Sequence, residues 1–90
     1  MEKIKVKKIS ESQFEVTVND RGTTTHLVTV SKDYFDKLTG GKISRETLIE
    51  KSFEFLLQRE SNTSILRSFD LPVIGKYFPE YEGKIKMMVR

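Results

Sequence analysis

The chain has no cysteine, no tryptophan, two prolines and a single histidine in 90 residues. Without cysteine there is no disulfide, no thiolate metal site and no cysteine nucleophile. One imidazole, with no second histidine or cysteine to join it, falls short of a transition-metal ligand set. Long apolar runs are also missing, and none approaches the ~20 residues that span a bilayer. The segment from Met1 to Lys8 alternates lysine with β-branched residues and so lacks the apolar stretch of a signal peptide. These absences predict a cytoplasmic protein with no metal, no cofactor and no membrane partner. Asn62-Thr63-Ser64 matches a glycosylation acceptor, but outside a secretory route it is three polar residues. Charge of one sign is scarce as well. Sixteen Lys and Arg oppose thirteen Asp and Glu, and the net +3 falls as +1, 0 and +2 over successive thirds.

What is present suits one small domain, with 37% hydrophobic and 32% charged residues. The periodicity changes near Ser31, from two residues to about three and a half. Strands are expected over residues 3–9, 13–18 and 23–30, and helices over residues 32–38, 44–60 and 63–78. This is an α+β plan, a three-stranded antiparallel meander with helices packed on one sheet face. The domain is expected to cover residues 1–82, leaving 83–90 as a basic tail that frays or adds an edge strand.

Parity sets the register. With Asp20-Arg21-Gly22 as a hairpin loop and Gly22 left-handed, Val18 pairs with Thr24, Val16 with His26 and Phe14 with Val28. Ile4, Val6, Phe14, Val16, Val18, His26, Val28 and Val30 then share the apolar face. Lys3, Lys5, Lys7, Glu15, Thr17, Thr25, Leu27 and Thr29 share the other. Ser31 and Ser44 are placed to cap the first two helices, and Gly40-Gly41 to stop the first. Of the remaining helical pieces, the first is a turn carrying Ile65, Leu66 and Phe69, and the second points Leu71, Ile74, Tyr77 and Phe78 inward.

Catalytic chemistry finds little support. Gly40-Gly41-Lys42 lacks the glycine and hydroxyl of a phosphate loop, because Asp36 and Ile43 stand in those places. His26 has valines and threonines for neighbours, without an orienting carboxylate, and reads as a structural histidine bonded to a backbone carbonyl. Asp33/Asp36 and Glu80/Glu82 read as solvated charges beside a helix start and a proline turn.

Two binding surfaces remain. Leu48, Ile49, Phe53, Phe55, Leu56 and Leu57 spread over roughly 200° of a helix, wider than one sheet needs at ~100° per residue. Leu48, Phe55, Leu56 and Leu57 are therefore candidates for a protein partner or for self-association. Lys3, Lys5, Lys7, Thr25 and Thr29 on the polar sheet face are candidates for nucleic acid, although Glu15 lies among them and no aromatic is there to stack a base.

Two resemblances follow from these residues. Ser52-Phe-Glu-Phe-Leu-Leu-Gln-Arg-Glu, Ser64-Ile-Leu-Arg-Ser-Phe-Asp-Leu and Tyr77-Phe-Pro-Glu-Tyr-Glu resemble a widespread family of small uncharacterised prokaryotic proteins. Thr25-His-Leu-Val-Thr-Val and Tyr34 to Leu38-Thr extend the likeness over about residues 14–82. It implies a stand-alone domain of this size and no assigned activity. Locally, the strand Thr25–Val30, the short helix, the glycine turn and Ser44-Arg-Glu-Thr-Leu-Ile-Glu-Lys-Ser-Phe-Glu-Phe-Leu are similar to a ribbon-helix-helix DNA-binding unit. That likeness implies a dimeric strand pair in the major groove, read through Thr25, Leu27 and Thr29. It requires a free edge on the strand at residues 23–30, because the ribbon pairs with its dimer mate there.

Overall fold

Alternation of β-branched and polar residues makes the first half a sheet. In the computed structural model, which describes residues 3–89, β1 (Ile4–Lys8), β2 (Gln13–Asp20) and β3 (Gly22–Thr29) form an antiparallel meander. Met1, Glu2 and Arg90, the outermost parts of the expected domain and tail, lie outside the described residues. The pairs Phe14–Val28, Val16–His26 and Val18–Thr24 are those required by parity, and Gly22 turns the hairpin at φ 90°. Phe14, Val16, Val18, His26 and Val28 are each at most 1% exposed, all on the face the helices cover.

Two helices follow where capping serines permit. The Ser31 hydroxyl accepts from the Tyr34 N–H at 3.2 Å and opens α1 (Lys32–Thr39), which ends at left-handed Gly40. Ser44 accepts from the Thr47 N–H at 3.1 Å and opens α2 (Arg45–Leu57). The chain tightens at once beyond Leu57, with the N–H groups of Arg59 and Glu60 both on the Leu56 carbonyl. The helix therefore stops three residues short of Glu60.

Residues 63–78 depart from the helical expectation. A 3-10 turn (Asn62–Ser64) leads into a fourth strand, β4 (Ser68–Asp70), and then into α3 (Val73–Tyr77). β4 runs parallel to β3, and the sheet order is β1-β2-β3-β4. The cause is the outer edge of β3. The Leu27 N–H donates to the Arg67 carbonyl at 2.7 Å, and the Leu71 N–H donates to the Thr29 carbonyl at 2.9 Å. A helix over residues 65–71 would leave those β3 groups without protein partners.

The stretch expected as a tail also folds into the domain. α4 (Tyr81–Met88) places Tyr81, Ile85 and Val89 four residues apart on one face, and they are 0%, 0% and 9% exposed. The core thus extends to Val89 rather than closing at residue 82. α4 covers the outer side of α2, where the Phe55 ring meets Tyr81 at 5.3 Å and Phe78 at 5.9 Å between centroids. The Ser52 hydroxyl donates to the Leu48 carbonyl at 2.8 Å, which leaves it to accept from the Tyr81 hydroxyl at 2.6 Å. Burial pushes the Tyr81 phenol above its ordinary value, so it stays a donor at any physiological pH.

If α4 closes the core, Ile85→Ala lowers stability by about 2–4 kcal/mol, the cost of a cavity at a fully buried site. Met87→Ala, on the exposed side of the same helix, changes it by no more than about 0.5 kcal/mol. Urea denaturation compares the two, and equal effects would remove α4 from the core.

Candidate functional site

The apolar arc of α2 is used up within the chain. Leu48, Phe55 and Leu56 are 0%, 1% and 3% exposed, so three of the four residues expected to meet a partner are core instead. The excess width of the arc is taken by α4 and by the turn before β4. Leu57 alone is half-buried, on a surface it shares with Lys3, Glu50, Glu54 and Gln58.

The polar sheet face is uncovered, and it gathers Lys5, Lys7, Thr25 and Thr29 as parity requires. Lys5 lies across from Thr17, which lies across from Thr25, and Lys7 lies across from Glu15. β4 adds Asp70 beside Thr29. Lys3 is tied to Asp20 at 3.3 Å. Carboxylates therefore balance the lysines on this face. β3 is an internal strand whose outer edge is taken by β4 over Leu27–Thr29, so that half of the expected ribbon strand has no free edge for a dimer mate.

An apolar groove opens elsewhere on the surface, between the end of α2, β4 and α3. Its volume is about 260 Å³, and Leu56, Ile65, Phe69, Ile74 and Phe78 form its floor. Leu66 and Tyr77, the latter expected to point inward, stand on its rim at 47% and 67% exposed. Glu60 closes one end. Burial pushes its carboxyl above the ordinary carboxylate value, and no ion pair offsets that among the described residues. The neighbouring Arg59 is committed elsewhere, 3.2 Å from Glu80 and 3.6 Å above the centre of the Phe55 ring.

Beside the groove runs the outer edge of β4. Arg67, Phe69 and Leu71 turn their backbone groups toward β3, so parallel alternation turns those of Ser68 and Asp70 outward. Both residues are exposed. The sequence signal for this strand is the short alternation Ser68-Phe69-Asp70-Leu71, too brief to outweigh a helical reading of its flanks.

A buried polar network holds this segment to the sheet. His26, 1% exposed, has Nδ1 2.8 Å from the Leu66 carbonyl and Nε2 2.9 Å from the Thr24 hydroxyl. A carbonyl only accepts, so the proton sits on Nδ1, and Nε2 accepts from Thr24. Thr24 in turn accepts from the Asn62 amide at 3.0 Å, and that amide also reaches the carbonyls of Gly22 and Val18. A hydroxyl beside an imidazole has the elements of a nucleophile and a base. Here Thr24 is only 8% exposed, and among the described residues no carboxylate orients the ring. The network is a tether.

No group of three or more His, Asp or Glu residues able to hold a metal ion exists among the described residues. No helix among them is long and apolar enough to cross a membrane. No family model, curated protein or solved structure matches the chain.

Burial, and secondarily the charge of Arg67, pushes the His26 pKa below its ordinary 6.5, against the opposing effect of the Leu66 carbonyl. The unfolded chain therefore binds the proton more readily. This contribution to stability is complete above about pH 6.5 and is lost as pH falls through the folded value. Glu60, shifted upward, acts in the opposite sense at lower pH, so the useful quantity is the difference between wild type and His26→Leu. The substitution should flatten the pH slope between about 7.5 and 5. At pH 7.5 it should cost about 1–3 kcal/mol through the stranded Leu66 carbonyl. Urea midpoints across that range measure both, and an unchanged slope would clear His26 of the effect.

Proposed function

We propose that this protein is a non-catalytic binding domain that engages a protein partner through the groove between α2, β4 and α3. The observation that carries the reading is the pairing of exposed Leu66 and Tyr77 on the rim with an apolar floor open to solvent. Exposed large apolar residues scattered singly need no explanation, but two flanking one concave apolar surface mark a contact site. The reading moves the interaction surface away from the outer face of α2, whose apolar residues are spent on α4. It also keeps the protein outside the enzymes, since its one imidazole and the adjacent hydroxyl are sealed in the core.

Nucleic acid on the lysine and threonine face is the second reading, favoured by the shared uncovered position of Lys5, Lys7, Thr25 and Thr29. The nearby Glu15 and Asp70 argue for the groove instead, because phosphate binding draws on unopposed cations.

A photo-crosslinking side chain placed singly at Leu66, Tyr77 or Thr25 in the native host separates the readings. Discrete protein adducts should form from positions 66 and 77 and not from 25. Adducts confined to position 25, together with a gel shift of duplex or single-stranded DNA that weakens steeply with salt, would transfer the function to the sheet face.

A further inference from the structure

We infer that the partner segment binds as an extended strand along the outer edge of β4, with alternate apolar side chains in the groove and a lysine or arginine at Glu60. The inference rests on the groove being the binding site, and it adds the conformation and chemistry of what binds there. Three observations meet at this edge. The outward N–H and C=O groups of Ser68 and Asp70 offer a strand two residues of ladder, which a helix lying in the groove could not use. The apolar floor lies on the side of the sheet where every second side chain of an added strand would fall. Glu60, partly desolvated and without an ion-pair partner among the described residues, supplies a charge that an incoming cation complements.

A second copy of this chain is a poorer occupant. Its own β4 would bring Phe69, but that ring is already packed against Phe53 at 6.2 Å and half-buried in its own domain. The other two residues of that strand, Ser68 and Asp70, carry no apolar side chain for the groove.

The experiment selects binders from a displayed library of random twelve-residue peptides, using the intact protein as bait, and synthesises the strongest. Expected are peptides with alternating β-branched or aromatic residues and one lysine or arginine. Methylating the peptide amides that face β4 should weaken binding at least tenfold, and methylating the intervening amides far less. Glu60→Gln should weaken binding about fivefold, with the thermal transition of the protein unchanged. Leu66→Glu tests the groove itself. Selected peptides with apolar residues at helical spacing, or insensitive to amide methylation yet lost with Leu66→Glu, would overturn the strand and leave the groove. Peptides indifferent to Leu66→Glu, or no enrichment, would overturn both. A dimer in light scattering that Leu66→Glu disperses would replace the peptide by a second copy.

Discussion

Everything distinctive about this fold depends on the outer edge of β3 being paired. A three-stranded meander leaves that edge with unmet donors and acceptors directly above a wide apolar helix face. The chain satisfies it by drawing residues 68–70 into a strand, with Leu27 and Thr29 bonded to the flanking Arg67 and Leu71. His26 and Asn62 secure the same segment from inside, one through the Leu66 carbonyl and the other through Thr24 and the β2–β3 hairpin carbonyls. Once the segment is extended, Phe69 must face the helices, while Ser68 and Asp70 turn their side chains to the uncovered sheet face and their backbone groups to the edge. The groove is what remains between this strand and a helix that ended early at Leu57.

That dependence explains which parts of the molecule are legible in the sequence. The register of β2 and β3 follows from residue parity and one glycine, because a strand slipped by one residue would turn Phe14 and Val16 to solvent. The serine caps and glycine stop of α1 are equally local. β4 is legible only afterwards. Its pairing is a long-range demand made by β3 on a segment whose own pattern is three residues of strand. The same limit hid α4. Tyr81, Ile85 and Val89 are correctly spaced, but lysines, a glycine and two methionines between them make the segment look like a solvated tail until the outer face of α2 needs covering.

The candidate site was missed for a related reason. The excess apolar width of α2 is a real signal that something else must pack there, and the sequence does not distinguish a second protein from a later helix of the same chain. Phe55 meeting Tyr81 and Phe78 resolves it in favour of the chain. The surplus is then displaced rather than removed. Leu66 sits beside Ile65 in a segment that is neither helix nor full strand, so only one of the two can turn inward, and Ile65 does at 5% exposed.

An edge strand is ordinarily a hazard, and a short one is a common protection against unwanted pairing. At three residues, β4 is too short to recruit another sheet by backbone bonds alone, since two residues' worth of ladder is a modest net gain in water. In the proposed binding mode, affinity at this edge comes from side chains that reach the groove, and selectivity from an acid that penalises a partner without a cation. The rigid tether through His26 and Asn62 matters for the same reason. It holds β4 and the groove floor in register before anything binds, so little ordering of this chain is left to oppose association. On the proposed reading such a surface discriminates by side-chain pattern and charge, a division of labour that a domain with a single thin core can sustain.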